Sequence, residues 1–296
     1  MKLTLPRLSI PKITLPSIKA KSSKSALAIQ YTDKVIRLLE LDSNKKPKFE
    51  PVEVSIEGKD KGEVLRGLAQ RLGLQGKDVV ACLPANEGLL KVQRFPASLN
   101  DADLRKAIDW SIKKELSSFR EEMTYDYHIM ERIPEEKNRT VILIFSRKET
   151  VENIKKTIES AGMKLAILDY EVLALINYGL YHNIPKPFSI LYIDYDYAVL
   201  TTYSVSNIAY SVFHWSYKEY FKNNDEEYLE GFFAEIRNIV ILNDLSSMHI
   251  AGPVLMEEEL VVRIMENVPV LGILDVENIK PNFFVPYILS IRGMEG

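Results

Sequence analysis

From residue 26 to residue 267, short apolar runs typical of β-strands alternate with stretches in which apolar residues recur at helical spacing. Continuous or alternating apolar runs predict strands, and apolar residues at i, i+3, i+4 and i+7 predict helices. The predicted strands cover residues 26–31, 35–41, 52–56, 79–83, 89–95, 124–131, 140–145, 164–168, 189–194, 199–205, 208–215 and 248–251. The predicted helices cover 62–72, 101–119, 146–161, 171–181, a long segment capped by Asn224, and 257–267, and a Ser146–Glu149 capping box starts the third of them.

The sequence of three strands, a helix and a further strand occurs twice, which predicts an α/β protein with two duplicated lobes and a cleft between them. Between the two copies, the predicted order is β-α-β-β-α-β, as in a ferredoxin-like unit inserted into the first lobe. The predicted division is an N-terminal extension (1–25), a first lobe (26–86 with 169–187), an inserted unit (87–168) and a second lobe (188–296).

The N-terminal extension combines regularly spaced prolines with apolar and basic residues. Prolines at positions 6, 11 and 16 exclude a helix and favour extended backbone. Two interpretations stay open, a flexible leader or a strap that docks on a partner or on an anionic membrane surface. The residues predicted for such a strap are Leu3, Leu5, Arg7, Leu8, Ile10, Lys12, Ile13, Leu15, Ile18 and Lys19.

Charge and composition narrow the class of protein. The net charge of −3 divides into +6 for residues 1–24 and −9 for the remainder, which argues against a nucleic-acid groove through the body. A single cysteine, Cys82, excludes an internal disulfide and favours a reducing compartment. No apolar run of about eighteen residues is present to span a membrane. The four histidines lack metal-ligand spacing and no nucleophile motif occurs, so neither a metal site nor a catalytic residue is predicted.

The stretch LYIDYDYAVLTTY, from Leu191 to Tyr203, raises the central functional question. A strand, a tight turn with an aspartate and a second strand form the phosphate-binding hairpin of actin-like ATPases. Such hairpins use glycine, because backbone N–H groups must approach the phosphate oxygens closely. Here Tyr195 and Asp196 follow Asp194 in the turn.

The succession VVACLP, KVQRFP, DADLRKAIDWSIKKEL, MTYDYHIM, TVILIFSRKETVENIKKTIESAGMKLAILDYEVLAL and ILYIDYDYAVLTTY resembles the PilM family of type IV pilus assembly. The resemblance implies a two-lobed, FtsA-like actin fold with a small extra domain. It also implies a cytoplasmic scaffold at the inner membrane that binds the N-terminal peptide of a PilN-like membrane protein, and it leaves self-association open. The implied peptide groove lies between the inserted unit and the first lobe, with the predicted contacts Leu90, Val92, Phe95, Ile108 and Ile112.

The chain departs from the family at the nucleotide site. Where the family has Asp-Ile-Gly in each phosphate hairpin, this chain has residues 30–32 (Gln-Tyr-Thr) and 194–196 (Asp-Tyr-Asp), and the later Gly-Gly loop becomes Gly252-Pro253. The segment between Trp215 and Asn224 is also too short for the helices that close over the base. Proline removes a donor, and a second carboxylate repels phosphate.

These departures predict a degenerate nucleotide site, no cofactor and no enzymatic activity. The predicted relic of the site comprises Gln30, Thr32, Asp194, Asp196, Thr201 and Gly252. Two alternatives stay open. One is a working ATP-binding protein in which Asp194 holds Mg²⁺ through water. The other is a GspL-like cytoplasmic component of type II secretion.

Overall fold

The computed structural model describes residues 26–132 and 135–295, so the predicted N-terminal strap lies outside the described residues. The strands are β1 (Leu27–Tyr31), β2 (Val35–Glu40), β3 (Val52–Ser55), β4 (Asp78–Leu83), β5 (Gly88–Pro96), β6 (Met123–Ile129), β7 (Asn138–Arg147), β8 (Lys164–Tyr170), β9 (Phe188–Ile193), β10 (Ala198–Ser204), β11 (Asn207–Phe213), β12 (Met248–Ala251) and β13 (Val270–Ile273). The helices are α1 (Lys61–Arg71), α2 (Asp101–Leu116), α3 (Lys148–Ser160), α4 (Glu171–Tyr181), α5 (Tyr217–Asn223), α6 (Glu226–Leu242), α7 (Glu258–Asn267) and α8 (Phe284–Glu295).

Two five-stranded sheets share one topology. The first has the order β3-β2-β1-β4-β8 and the second has the order β11-β10-β9-β12-β13. In each, three antiparallel strands form a meander, and the next two strands run parallel beside its first strand. The two-lobed α/β architecture with duplicated lobes is therefore confirmed.

The inserted unit is smaller than the sequence predicts. Its sheet has three antiparallel strands in the order β5-β7-β6, and α2 packs on one face around Leu104, Ile108 and Ile112. The β-α-β-β-α-β prediction was wrong in its last two elements, because β8 pairs in parallel with β4 and α3 packs against α1 of the first lobe. The apolar residues of β8 are buried throughout, as in a parallel strand covered on both faces. Local periodicity does not reveal which sheet such a strand joins.

Two predicted helix starts are also corrected. Ser146 remains in β7, where it pairs with Gly88, and its hydroxyl donates to the carbonyl of Glu87 at 2.9 Å. The helix α3 begins two residues later without a side-chain cap, so the predicted capping box does not form. Asn224 has a left-handed conformation and ends α5, and the carboxylate of Asp225 caps α6 instead.

The chain returns to the first lobe at its C-terminal end. Helix α8 packs on β1, β2, β4 and α4, and Ser290 donates to the carbonyl of Leu39 at 3.3 Å. The prediction that residues 188–296 all belong to the second lobe was therefore wrong for α8. Within the described residues, no helix combines the length and apolarity needed to cross a membrane.

We expect Phe284→Ala to lower the free energy of unfolding by about 3–5 kcal/mol, because it leaves a cavity where α8 meets both lobes. Phe284 is 2 % exposed, and its ring centroid lies 4.6 Å from that of Tyr178 and 6.3 Å from that of Tyr192. Chemical denaturation measures the effect. The control is Leu242→Ala, at a residue 78 % exposed, which should change stability by about 0.5 kcal/mol or less. Equal effects of the two variants would contradict the packing of α8.

Candidate functional site

The turn between β9 and β10 carries an aspartate into the space between the two lobes. Asp194 is 0 % exposed, and its backbone N–H closes the turn on the carbonyl of Tyr197 at 2.9 Å. The N–H of Tyr195 donates to Oδ1 of Asp194 at 2.7 Å. The hairpin predicted from the sequence is therefore present, and its acid points inward.

Arg37 of β2 occupies both oxygens of this carboxylate. Its Nη1 lies 2.6 Å from Oδ2 of Asp194 and its Nη2 lies 2.7 Å from Oδ1, so the pair is bidentate. Arg37 is also 0 % exposed, and its Nε donates to Glu53 at 2.5 Å. Burial alone raises the pKa of Asp194, but the charge and hydrogen bonds of Arg37 outweigh burial and hold that pKa below its ordinary value. The ion pair thus links the first lobe to the second.

Further buried polar groups extend the ion pair into a network across both lobes. The amide of Gln30 accepts from Arg37 at 3.1 Å and donates to Glu171 at 3.1 Å. The hydroxyl of Tyr192 donates to Asp194 at 2.8 Å, and that of Tyr197 donates to Glu171 at 2.6 Å. We refer to this set of buried groups (Gln30, Arg37, Glu171, Tyr192, Asp194 and Tyr197) as the joint. Its polar groups form hydrogen bonds to one another within the protein.

Glu171 lies at the far end of this network and carries a shifted pKa. Burial, aided by the nearby charge of Asp194, raises its pKa to about 7, although hydrogen bonds from Tyr197, Ala85 and Gln30 oppose the shift. The backbone N–H of Ala85, just after β4, donates to Glu171 at 3.0 Å. The network therefore also anchors the connection that leads into the inserted unit.

The remaining predicted site residues have local roles. Thr32 accepts the N–H groups of Lys34 and Val35 at 3.1 and 3.2 Å, so its hydroxyl closes the β1–β2 turn. Thr201 lies in the middle of β10, with its hydroxyl 3.5 Å from the carbonyl of Ile190 in its own sheet. Of the six predicted residues, the structure brings Gln30 and Asp194 into direct contact with Arg37.

Gly252 and Asp196 lie beside the network. Gly252 has φ +100°, and a Cβ there would lie 2.8 Å from both the carbonyl of Ile193 and the ring of Tyr192. The space around this glycine is thus occupied by the protein itself. Asp196 is half-buried, with Lys34 4.0 Å away, and burial together with the charge of Asp194 raises its pKa.

Sequence reasoning missed several members of the network, and Arg37 is the most important of them. The sequence offered one signal, a charged residue inside the otherwise apolar strand VIRLLE, all of whose residues are buried. An arginine in such a strand needs a buried acid as partner. The other missed members are Glu53, Glu171, Tyr192 and Tyr197.

A cavity of about 290 Å³ opens beside Asp196, between the lobes and the entrance to the inserted unit. The β1–β2 turn, the turn after β4 and one face of α3 line it, with Thr32, Asn86 and Asn153 among the lining residues. No cluster of three or more His, Cys, Asp or Glu side chains suited to a metal ion occurs within residues 26–132 and 135–295.

The predicted partner contacts are mostly interior. Ile108 and Ile112 are at most 1 % exposed in the core of the inserted unit, and Leu90 is buried beneath its sheet. These three side chains therefore do not form a surface for a peptide, and that part of the prediction was wrong. The resemblance suggested these contacts, whereas the helical spacing of Ile108 and Ile112 reports burial against the unit's own sheet. Val92 and Phe95 are half-buried on β5.

Two lobes that share one topology and meet at paired hairpins define the actin-like fold. Solved structures of that fold match this chain. A PilM–PilN type IV pilus biogenesis complex matches with TM-score 0.75 at 15 % identity, covering 93 % of this chain and 100 % of that chain. The cytoplasmic domain of EpsL, an inner-membrane component of the Vibrio cholerae type II secretion system, matches with TM-score 0.54 at 12 % identity, covering 91 % and 94 %. A Bacteroides thetaiotaomicron protein of actin-like ATPase fold and unknown function matches with TM-score 0.54 at 11 % identity, covering 91 % and 96 %.

The family follows from the sequence itself. The family model described as type IV pilus assembly protein PilM matches residues 23–195, more than half of the chain. The chain therefore belongs to the PilM family of type IV pilus assembly proteins. A search of curated protein sequences returned no significant match.

We expect Arg37→Met to lower the free energy of unfolding by about 3–5 kcal/mol, because Asp194 is then left buried without its counter-charge. Adding Asp194→Asn to this variant should recover part of the loss, whereas Asp194→Asn alone should destabilise the protein. In Arg37→Met, burial no longer opposed by Arg37 should raise the pKa of Asp194 above its unfolded value. The stability of that variant should therefore fall as pH rises from 5 to 7.

Denaturant titrations of the four proteins at pH 5 and pH 7 measure this double-mutant cycle. Lys61→Met is the control, since it breaks an exposed 3.2 Å pair with Asp33 and should cost about 1 kcal/mol or less. Additive effects of Arg37→Met and Asp194→Asn on the free energy of unfolding would show that the two side chains do not interact, which would contradict the ion pair.

Proposed function

We propose that the chain is a scaffold of type IV pilus assembly that does not use nucleotide and that binds the cytoplasmic N-terminal segment of a PilN-like inner-membrane protein. The observation that carries the proposal is the bidentate Arg37–Asp194 pair, which occupies both oxygens of the hairpin aspartate. The contacts that oppose a nucleotide differ from those that favour a peptide.

The environment of the two hairpins opposes a bound triphosphate in three ways. Releasing Asp194 for a metal ion would separate a buried ion pair, which typically costs about 3–5 kcal/mol. Thr32 already accepts two N–H groups of its turn, which removes them from the donors that a phosphate would need. Asp196 adds a second carboxylate at the mouth of the site, where it would repel the phosphates.

The 290 Å³ cavity supports an extended peptide as the ligand. It lies between the first lobe and the entrance to the inserted unit. Its lining combines uncharged residues such as Pro84, Asn86, Asn153 and Thr157 with the charged residues Asp33, Lys61, Glu87 and Asp196. Amide and hydroxyl side chains suit hydrogen bonds to a peptide backbone. The structural relative solved as a PilM–PilN complex gives the proposal its partner class.

In this proposal the protein is cytoplasmic and reaches the inner membrane through its partner. The basic residues 1–24 would add attraction to an anionic membrane surface, and self-association stays a prediction. The type II secretion alternative has support from the EpsL likeness in fold alone. The family model favours the pilus.

We expect millimolar Mg-ATP to give no binding heat and no change in melting temperature, because the hairpin acid is held by Arg37. A ligand at about a hundred times its dissociation constant would add about 2.7 kcal/mol of stability, so binding would be visible in a thermal shift. Calorimetry with Mg-ADP and with MgCl2 alone provides the controls. A clear shift with Mg-ATP would favour the ATP-binding alternative and remove the scaffold proposal in its nucleotide-free form.

We expect Asn153→Arg to weaken binding of a synthetic PilN-like N-terminal peptide at least about tenfold, because the long side chain would enter the cavity. Asn153 is exposed on α3 and lines the cavity. The matched control is Asn238→Arg, at an exposed asparagine of α6 away from it. Calorimetry with the full chain measures both affinities. Equal affinities would place the peptide elsewhere, and absence of binding to the unsubstituted chain would refute the partner.

A further inference from the structure

A second cavity, of about 380 Å³, opens on the second lobe where α6 begins. Its lining consists of three large aromatic residues, three acidic residues, a histidine and a glycine: Trp215, Tyr228, Phe232, Asp225, Glu227, Glu235, His214 and Gly231. The three acids are exposed, and no lysine or arginine is among the lining residues. We refer to this cavity as the acidic groove.

An aromatic stack with an unsatisfied donor lies at the base of the acidic groove. The rings of Trp215 and Phe232 are parallel, with centroids 4.0 Å apart, and Tyr228 lies beside them. Trp215 is 3 % exposed, and its indole N–H has no hydrogen-bond partner among the described residues. A buried indole N–H normally finds an acceptor. A carbonyl of a bound peptide would supply one after a small adjustment of the wall.

The wall formed by α6 contains a glycine that no internal contact requires. Gly231 is exposed and lines the acidic groove, and a Cβ built on it meets nothing within 4 Å. Glycine inside a helix costs about 1 kcal/mol relative to alanine. At this position the missing side chain leaves the helix backbone open to a chain lying across it.

The segment that matches the acidic groove in charge and sequence pattern is the chain's own N-terminal extension. Residues 1–24 carry six basic residues and no acid, with prolines at 6, 11 and 16. Extended proline-containing segments dock on grooves lined by aromatic rings, and Lys and Arg side chains are attracted to such rings and to carboxylates. We propose that one proline-containing repeat of residues 3–19, the one nearest the N-terminus, binds in the acidic groove of the same molecule.

The length of the extension allows this intramolecular contact. The described chain begins at Ala26, and when the repeat nearest the N-terminus, residues 3–7, lies in the groove, residues 8–25 form a tether of roughly 60 Å. A domain of this size has a radius of gyration of about 19 Å, so a tether of that length reaches any face of the molecule. While the extension is bound in the acidic groove, its basic residues are withheld from an anionic membrane surface.

Disulfide trapping in the full chain tests the proposal. One cysteine replaces Thr4, Ser9 or Thr14, each of which lies two positions before a proline, and a second is introduced by Glu227→Cys. The matched control is Glu258→Cys, also exposed in the first turn of a helix, α7, but outside the groove. The native Cys82 is 1 % exposed, and burial raises the pKa of its thiol, so it does not compete.

We expect at least one extension position to oxidise about tenfold faster with Glu227→Cys than with Glu258→Cys, giving a product of monomer mass. Adding Asp225→Asn and Glu235→Gln, or 1 M salt, should bring the rate down to that of the control. Gly231→Gln should also slow trapping, whereas Gly67→Gln, at an equally open helix glycine of α1, should not.

Equal rates with both acceptor cysteines, or trapping that survives neutralisation of the acids, would overturn the proposal. A disulfide-linked dimer as the main product would assign the extension to a second copy and overturn the intramolecular form. Binding of the partner peptide to the 290 Å³ cavity is measured separately through Asn153→Arg. The failure of one proposal therefore does not imply the failure of the other.

Discussion

The ion pair between Arg37 and Asp194 is the contact on which the relation between the two lobes depends. One partner comes from a strand of the first lobe and the other from a turn of the second, and neither side chain is exposed. Separating the lobes at this point would either expose both charges or leave each of them buried without its partner. A buried charge without its partner costs several kcal/mol. The hydrogen bonds of Gln30, Tyr192 and Glu171 follow from the positions of these two groups.

The joint lies where the two hairpins of the duplicated fold face each other. Each lobe contributes a hairpin whose turn points toward the other lobe, which in actin-like proteins creates a place for phosphates between two turns. In the proposed scaffold that place holds an arginine of the protein instead, and Tyr192 fills the space beside Gly252. The polar groups of the cleft then hold the lobes in one arrangement, and the surfaces outside the cleft are left for partners.

Charge divides the molecule into a basic extension and an acidic body. Within the body, the acidic groove concentrates three carboxylates above an aromatic stack. An extension that carries six cations would be drawn to such a surface at low ionic strength and released by salt. An anionic membrane is a competing surface for the same cations, so the proposed contact makes the two associations mutually exclusive.

The sequence by itself determined those features of the fold that depend only on residues close to one another along the chain. The hydrophobic periods located β1 to β12 and most helices, the repeated order of elements predicted the duplication, and the strand–turn–strand pattern around Asp194 located the hairpin. The strand β13 and the helix α8 were not predicted. The apolar pattern of β13 is weak, and that of α8 is uninterrupted.

Only the tertiary structure decided which sheet β8 joins, where α8 packs and which group neutralises Asp194. Arg37 and Asp194 are 157 positions apart, and a local pattern shows that a side chain is buried without showing what covers it. The resemblance implied a peptide surface at Ile108 and Ile112, whereas the structure places both in a core. Periodicity identifies a buried face, and long-range pairing alone decides what lies against it.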